Sequence, residues 1–247
     1  MGRFTTPELS SDRFITTPLE ACPPAVSEPD YLRRVYGWAY LHPRAIRTFE
    51  RQWLVNLILW GNYAALRDAA LAEFPGIPGG RILQLACVYG DLTERLAGRL
   101  SEGEMLSVAE VARIQLDNLH RKLGARNGVS LHLENAAGLS FESGSFDATL
   151  AFFLLHEQPQ DIRTRTLHEA VRVLRPGGKL VIVDYHRPGL WHPLRYLMPA
   201  VFRTLEPFAM DLWRTEISDW LPDSRRCDIA KETFFGGLYQ KITVVAH

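Results

Sequence analysis

The 247-residue sequence has few cysteines, no excess of either charge and no long apolar run. Cys22, Cys87 and Cys227 lie too far apart for a disulfide framework or a metal-binding motif, which indicates a reducing compartment. The 28 basic residues balance 28 acidic ones, which argues against an electrostatic nucleic-acid binder. The longest apolar stretch, within residues 53–60, is far shorter than the roughly 20 residues of a membrane-spanning helix. The polar N-terminus predicts no signal peptide.

The N-terminal third shows two kinds of pattern. Residues 1–29 are rich in Pro, Ser and Thr without any period, which predicts a flexible tail. Over residues 30–75 apolar side chains recur at helical spacing, which predicts a helical cap. The cluster of Pro and Gly at residues 75–80 marks the boundary before the main part of the chain.

Strands alternate with helices from residue 81 onward. The pattern predicts strands at 81–86, 105–110, 129–133, 146–153 and 179–184, and helices at 91–100, 113–123 and 160–174. Nearly continuous apolar strands indicate a parallel sheet that is covered on both faces.

The C-terminal part departs from this alternation. Residues 231–245 predict two strands joined at Gly236-Gly237, which is a hairpin signal. Residues 186–222 predict an apolar helical insertion before them. A hairpin that closes a five-stranded parallel sheet resembles the seven-stranded, Rossmann-like α/β fold of class I S-adenosylmethionine (SAM) methyltransferases. We therefore expect residues 30–247 to form a single methyltransferase-like domain.

Glycine is scarce in the turn after the first predicted strand. Methyltransferases of this class usually carry an acidic residue and three alternating glycines here, whereas this chain has Gln84, Ala86, Val88 and Gly90. Glycine in such a turn permits positive φ and a close approach of the ligand. We expect these four residues and Asp91 to bind SAM in an altered pose.

Polar side chains follow the second and third strands. Glu110 ends the second strand, where an acidic residue accepts hydrogen bonds from ribose hydroxyls, although a solvated carboxylate is the alternative. Asn135 and Ala136 follow the third strand. The Asn135 side-chain oxygen either contacts the adenine amino group or belongs to an ordinary turn.

A second polar group follows the fourth and fifth strands. His156 and Glu157 come after the fourth strand, and Asp184 and His186 end the fifth. Because the carboxyl ends of parallel strands meet at one crevice, these side chains are expected to converge there. Imidazole and carboxylate groups suit Mn²⁺, and His156 suits a general base. The alternatives are helix-start contacts before Pro159 and a solvated strand end.

Several blocks together resemble one family. They lie at residues 35–44, 49–62, 86–91, 153–159, 183–188 and 231–241. The most distinctive are Ala-Cys-Val-Tyr-Gly-Asp at 86–91 and Lys-Glu-Thr-Phe-Phe-Gly-Gly at 231–237, and both resemble the RquA family of rhodoquinone biosynthesis. One departure is Glu110, where Asp is expected.

The resemblance implies a transferase that converts ubiquinone to rhodoquinone. A ring methoxy group is replaced by an amino group, SAM is the amino donor, and Mn²⁺ is required. We take Tyr89, His156, Asp184 and His186 as the candidate catalytic residues. The candidate metal ligands are some of His156, Glu157, Asp184 and His186.

Two other functions stay open at the level of sequence. One is a conventional SAM methyltransferase that acts on a quinone or another apolar acceptor, and the other is a non-catalytic quinone-binding protein. The implied partners are ubiquinone and a membrane surface, so we expect a cytoplasmic protein bound peripherally to the inner membrane. Within the insertion, Trp191 and Trp213 are candidates to contact lipid, and Arg187, Arg195, Arg203 and Arg214 are candidates to face its headgroups. Solvated helix faces are the alternative for these arginines.

Overall fold

A computed structural model describes residues 27–87, 89–222 and 227–247. The predicted flexible tail lies almost wholly outside these residues, and so do Cys22 and Val88, one of the predicted SAM contacts.

The N-terminal segment is a series of short helices. They are a π-helical turn (Leu32–Tyr36), α1 (Gly37–Tyr40), α2 (Pro43–Phe49), α3 (Gln52–Ile58) and α4 (Tyr63–Leu71). The break at residue 42 has a local cause. His42 caps α2 by accepting a hydrogen bond from the Arg44 amide at 3.2 Å, and Pro43 occupies the first helical position, where its missing N–H costs nothing.

The rest of the chain alternates as predicted. The strands are β1 (Arg81–Leu85), β2 (Met105–Glu110), β3 (Val129–Leu133), β4 (Phe146–Phe152), β5 (Leu174–Tyr185), β6 (Cys227–Phe234) and β7 (Tyr239–Ala246). The helices are α5 (Leu92–Ala97), α6 (Arg113–Leu123), α7 (Gln160–Arg172) and α8 (Leu194–Leu205).

The strands form one seven-stranded sheet in the order β3-β2-β1-β4-β5-β7-β6. β1 to β5 are parallel, and β7 runs antiparallel to both β5 and β6. The predicted fold class is confirmed. Because the strand order reverses between β1 and β4, a crevice opens at their carboxyl ends, which is where ligands bind in such sheets.

Several predicted boundaries were wrong by a few residues. The strand predicted to end at residue 86 ends at Leu85, and the one predicted to end at 153 ends at Phe152. In both cases the next residue, Ala86 or Phe153, has positive φ (62° and 51°), which breaks the extended backbone. The fifth strand is longer than predicted because pairing with β4 begins already at Leu174.

The C-terminal hairpin and the insertion have the predicted places. Gly236 and Gly237 turn the hairpin with φ of 61° and 88°. Only residues 194–205 of the insertion are α-helical, and the short turns Ala209–Trp213 and Ile217–Trp220 follow.

Candidate active site

A cavity of about 380 Å³ lies above the carboxyl ends of β1 and β4. Its floor comes from the loops after these strands, with Tyr89, Phe153 and His156 among the lining residues. The N-terminal helices roof it through an aromatic and aliphatic surface, and the end of α8 adds Leu205 and Glu206. The volume is within the range of small-molecule sites, and nearly all of the lining is apolar.

The β1–α5 turn is held by its own side chains. Gln84 is buried, and its amide donates to the Ala86 carbonyl at 3.0 Å and to Thr93 Oγ1 at 2.9 Å. Gln84 therefore links the turn to α5 and does not line the cavity. Ala86 stands at positive φ without being glycine, which is a strained conformation.

The Tyr63 hydroxyl caps the start of α5. It accepts hydrogen bonds from the amides of Asp91 at 2.8 Å and Leu92 at 3.1 Å, and it lies 3.1 Å from Asp91 Oδ1. Gly90 is required beside it, because a Cβ at that position would come within 2.6 Å of Tyr63 Cζ. Helix N-termini commonly bind anions through these amide groups. Here a side chain of the same protein occupies them.

Asp91 points toward arginines. Its carboxylate pairs with Arg67 at 2.8 Å and with Arg95 at 2.5 Å. Partial burial alone would raise the pKa of Asp91, but the hydrogen bonds from Arg95 and Arg67 outweigh it and lower the pKa below the usual value. The Asp91 carboxylate therefore links α4 to α5 through these ion pairs.

The Tyr89 ring lines the cavity, and the Tyr89 hydroxyl binds the N-terminal helices. The ring is nearly parallel to those of Tyr40 and Phe49, with centroids 5.5 Å and 5.6 Å away. The hydroxyl donates to the Ala39 carbonyl at 2.6 Å and accepts from Gln115 Nε2 at 2.9 Å. Tyr89 can therefore orient a ligand by stacking, while its hydroxyl is already engaged.

Glu110 joins the turns that follow β1 and β2. Its two carboxylate oxygens accept hydrogen bonds from the amides of Cys87 at 3.0 Å and Ala112 at 2.8 Å. Burial raises the pKa of Glu110, although these amide donors oppose the shift. Oε2 also accepts from the Cys87 thiol at 3.4 Å, so both of its lone pairs are in use, and a ribose contact through Glu110 stays a prediction.

Asn135 forms a local turn after β3. Its Oδ1 accepts a hydrogen bond from the Ala137 amide at 2.9 Å, and Ala136 between them is buried. Oδ1 keeps a second lone pair, so its predicted contact with the adenine amino group stays a prediction. Neither Glu110 nor Asn135 lines the 380 Å³ cavity.

A buried polar pair, Asp184 and His156, adjoins the cavity, and His156 lines it. Asp184 Oδ1 accepts from His156 Nδ1 at 2.9 Å and from the Tyr185 amide at 2.8 Å. Its Oδ2 accepts from the amides of Leu155 at 2.9 Å and His156 at 3.2 Å. Asp184 thus has four donors, fixes the tautomer of His156 and leaves Nε2 as the free nitrogen.

Two glutamates face that free nitrogen. Glu206 Oε2 lies 3.7 Å and Glu157 Oε1 3.9 Å from His156 Nε2. Glu157 also accepts a hydrogen bond from the Tyr40 hydroxyl, whereas Glu206 Oε2 is buried with no hydrogen-bond partner among the described residues. The sequence analysis did not predict Glu206. The only feature that could have indicated it is that Glu206 is an acidic residue within a largely apolar stretch of the insertion.

The ionisable groups of this cluster shift one another's pKa values. Burial alone would lower the pKa of His156, but the carboxylates of Asp184, Glu206 and Glu157 outweigh it and raise the pKa to about 9. Burial raises the pKa of Glu157 to about 8 and also raises that of Glu206. Near neutral pH, His156 therefore carries a proton on each nitrogen and is poised as an acid.

The predicted metal set of His156, Glu157, Asp184 and His186 does not fit this arrangement. All four carboxylate lone pairs of Asp184 are in use, and His186 Nδ1 lies 2.8 Å from the Gly237 carbonyl, bound to the hairpin. In the described part of the chain no group of three or more His, Cys, Asp or Glu residues is arranged to hold a metal ion. The structure brings together three of the four predicted ligands and adds Glu206 to them.

The sequence is similar to known methyltransferases. Residues 82–178 match the profile of the family described as methyltransferase domain. The ubiquinone/menaquinone biosynthesis C-methyltransferase UbiE of Shewanella sp. (strain W3-18-1) is 34% identical over 119 residues, 45% of each chain. UbiE of Ectopseudomonas mendocina (strain ymp) is 30% identical over 142 residues, 55% of this chain and 54% of that one. The similarity thus spans about half the length of these curated relatives.

Solved structures extend the likeness beyond the matched segment. A SAM-dependent methyltransferase from Aquifex aeolicus superposes with a TM-score of 0.57 at 16% identity, over 83% of this chain and 99% of that one. One from Methanosarcina mazei gives 0.52 at 20% identity, over 71% and 96%. The fold is that of the class I SAM methyltransferases.

Proposed function

We propose that this protein is a SAM-dependent transferase that replaces a ring methoxy group of a ubiquinone-like quinone with an amino group taken from SAM. The observation that carries the proposal is the Tyr63 cap on α5. Because the Asp91 and Leu92 amides already donate to Tyr63, they are not free to bind the methionine carboxylate of SAM. The amino-acid end of SAM is then held elsewhere, with its amine turned toward the cavity.

The lining of the cavity supports a quinone as the acceptor. Flat aromatic rings such as Tyr89, Tyr40 and Phe153 provide stacking surfaces for a quinone ring. The relatives named for ubiquinone and menaquinone biosynthesis support the same substrate class.

His156 supplies the acid for the first stage. Its imidazolium, held by Asp184, donates the Nε2 proton to a quinone carbonyl oxygen while the donor amine adds to the methoxy-bearing ring carbon. The carbonyl then re-forms and returns its proton to His156, and the methoxy group leaves as methanol with a proton from the amine. One C–N bond forms, one C–O bond breaks, and no external oxidant is needed.

The second stage frees the nitrogen from the donor carbon. Loss of the Cα proton moves an electron pair into the quinone ring, which becomes a quinol as the N–Cα bond becomes an imine. Glu206, with its unpartnered Oε2, is the carboxylate placed to accept that proton. Water then hydrolyses the imine to an aminoquinol and a 2-oxo acid that retains the sulfonium and adenosyl groups. The ring itself is the oxidant.

The test uses SAM labelled with ¹⁵N in its amino group, a short-chain ubiquinone and purified protein, with mass spectrometry of all products. We expect a ¹⁵N-aminoquinol or aminoquinone and the 2-oxo acid. An unlabelled aminoquinone would mean another nitrogen donor and contradict the proposal. Parallel incubations with Mn²⁺ and with a chelator show whether the reaction needs the metal that the family resemblance implies.

A conventional quinone C-methyltransferase is the second candidate, favoured by the similarity to UbiE. The same incubation separates the two, because methyl transfer yields a methylated quinone and S-adenosylhomocysteine. Quinone binding without any product would instead indicate a non-catalytic carrier.

We also propose that the protein binds peripherally to the cytoplasmic face of the inner membrane, where its substrate resides. Exposed apolar side chains on the roof of the cavity, among them Trp38, Trp53 and Leu57, support this. Of the two predicted lipid contacts, Trp191 is 97% exposed, but Trp213 is only 7% exposed and packs against Phe202. No helix among the described residues has the length and apolar character needed to cross a bilayer.

A further inference from the structure

A second cavity, of about 240 Å³, lies within the insertion and shares no lining residue with the first. Its lining residues are Arg187, Arg195, Pro199, Met210, Trp213 and Arg214. Arg187 and Arg214 are exposed and Arg195 is half-buried, so the cavity presents three guanidinium groups to solvent. The proposed reaction makes no use of this cavity.

The positive charge of this cavity is not neutralised by the described residues. None of the three arginines forms an ion pair within the described ranges, whereas the acidic residues on either side of Arg214 are taken by other partners. Asp211 pairs with Arg163 at 3.5 Å, and Glu216 pairs with Lys231 at 2.5 Å.

Hydrogen-bond donors in the cavity also lack acceptors. Arg195 donates once, to the Pro188 carbonyl at 2.5 Å, and the side chains of Arg187 and Arg214 make no hydrogen bond to any described residue. The Trp213 indole N–H is buried without a partner among those residues. A buried donor without an acceptor is costly, so the Trp213 N–H is a second, independent feature of this cavity that suits an acceptor such as a phosphate oxygen.

Exposed apolar side chains adjoin the arginines on the same segment. Leu190 is 64% and Tyr196 72% exposed, and the Tyr196 hydroxyl donates to the Leu190 carbonyl at 2.9 Å. Arg195 and Pro199 share one face of α8, since they are four residues apart, and Tyr196 stands on the neighbouring stripe. With the almost fully exposed Trp191, this arrangement suits the boundary between lipid headgroups and acyl chains.

We propose that the three-arginine cavity binds the phosphate group of an anionic phospholipid. Guanidinium groups bind phosphate oxygens in pairs, and the adjacent apolar side chains enter the acyl region. The site deepens the proposed membrane association by naming the lipid group that is bound. It does not depend on which reaction the protein catalyses.

The test measures binding of the full chain to vesicles of phosphatidylcholine alone and of equal parts phosphatidylcholine and phosphatidylglycerol. The double variant Arg187→Gln/Arg214→Gln removes two charges without breaking a hydrogen bond to any described residue. Each basic side chain near an anionic membrane is worth about a factor of five, so affinity for the anionic vesicles should fall about 25-fold. The matched control Arg121→Gln/Arg165→Gln removes two exposed charges from α6 and α7 and should change it less than twofold.

Calorimetry with glycerophosphoglycerol, the soluble headgroup of that lipid, and with inorganic phosphate identifies the source of the anion. We expect the headgroup to bind wild type and to lose affinity in Arg187→Gln/Arg214→Gln. Leu190→Ser/Trp191→Ser should weaken vesicle binding and leave headgroup binding unchanged. Phosphate binding without any vesicle binding would overturn the lipid assignment. Vesicle binding that is equal in the arginine variant and wild type would overturn the site while leaving membrane association in place.

Discussion

At the scale of single residues, the close approach of Gly90 to Tyr63 is the feature that most distinguishes the β1–α5 turn. Gly90→Ala places a methyl group against the Tyr63 ring and strains a φ of 93°. We expect a loss of about 3 kcal/mol in the free energy of unfolding, because the strain and the clash add.

Gly61→Ala is the matched control for that substitution. Gly61 also has positive φ, at 80°, but a Cβ there meets nothing within 4 Å. It should cost only the strain, about 1 kcal/mol in urea unfolding. Equal losses in the two variants would show that Tyr63 does not press on the turn.

Ala86 leads to a second prediction, with the opposite sign. Ala86→Gly relieves a φ of 62° at the position where similar methyltransferases carry glycine. Relief of about 1 kcal/mol offsets the entropy that glycine adds to the unfolded chain, so stability should stay level or rise. Ala65→Gly, on the exposed face of α4, should instead lose about 1 kcal/mol. A similar loss in Ala86→Gly would mean that the left-handed conformation at residue 86 carries no strain.

His156 makes the stability of the folded protein depend on pH. Its pKa is raised in the folded state to about 9, so its contribution to stability is complete below about pH 6.5 and is lost as pH rises through 9. Between these limits His156 makes the folded protein bind up to one more proton than the unfolded chain, which lowers the free energy of unfolding by up to about 1.4 kcal/mol per pH unit. Glu157, with its pKa raised to about 8, adds a slope of the same sign below that pH. Chemical unfolding at several pH values should show this slope in wild type and a flatter one in His156→Gln. The exposed His168→Gln should keep the wild-type slope.

The same variant tests the proposed acid. His156→Gln should lower turnover in the ¹⁵N assay about a hundredfold or more, the usual contribution of a general acid. Wild-type turnover should fall as pH rises through 9, because the imidazolium loses its proton. Near wild-type turnover in His156→Gln would remove His156 from the mechanism.

At the scale of elements, α6 holds the N-terminal helices against the sheet. Glu50, at the end of α2, accepts hydrogen bonds from Asn118 Nδ2 at 2.7 Å and Lys122 Nζ at 2.8 Å. Tyr89 adds its stack with Tyr40 and Phe49. The roof of the active-site cavity therefore depends on a small set of polar contacts and one aromatic cluster.

Glu50→Gln tests this attachment. Loss of the charged acceptor should weaken the joint by about 1.5–3 kcal/mol and raise hydrogen exchange in residues 37–58 roughly ten- to a hundredfold, with β1 and β4 unchanged. Asp117→Asn removes a carboxylate from an exposed pair with Arg113 on the same helix and should leave exchange in the cap at the wild-type rate. Unchanged exchange in Glu50→Gln would place the attachment elsewhere.

At the scale of the whole molecule, the apolar pattern predicted the sheet because strands buried on both faces need nearly continuous apolar runs, which differ from the helical spacing between them. β2, β3 and α6 have the predicted bounds, and the order of elements was right throughout. Two errors fell where a single backbone angle ends a strand, at Ala86 and Phe153, since local sequence does not specify such an angle. The early start of β5 follows from its pairing with β4, which only tertiary structure determines.

The candidate site was predicted only in part. His156, Glu157 and Asp184 converge because the ends of β4 and β5 are neighbours, and this follows from topology. Tyr63 and Glu206 come from outside the alternating region, on the cap and the insertion, and only tertiary packing brings them in. His186 was expected beside Asp184, but β5 ends at Tyr185 and the hairpin binds the His186 ring.

The position of α8 has a consequence for how the protein would behave at a lipid surface. Residues at its first turns line the arginine cavity, and residues at its end line the active-site cavity. α8 is about 18 Å long, and Pro199 interrupts it near its middle. If both proposals hold, we expect ligands of the two cavities to influence each other's binding reciprocally through this helix. The proposed reaction would then run faster on anionic vesicles than in their absence, the behaviour known as interfacial activation.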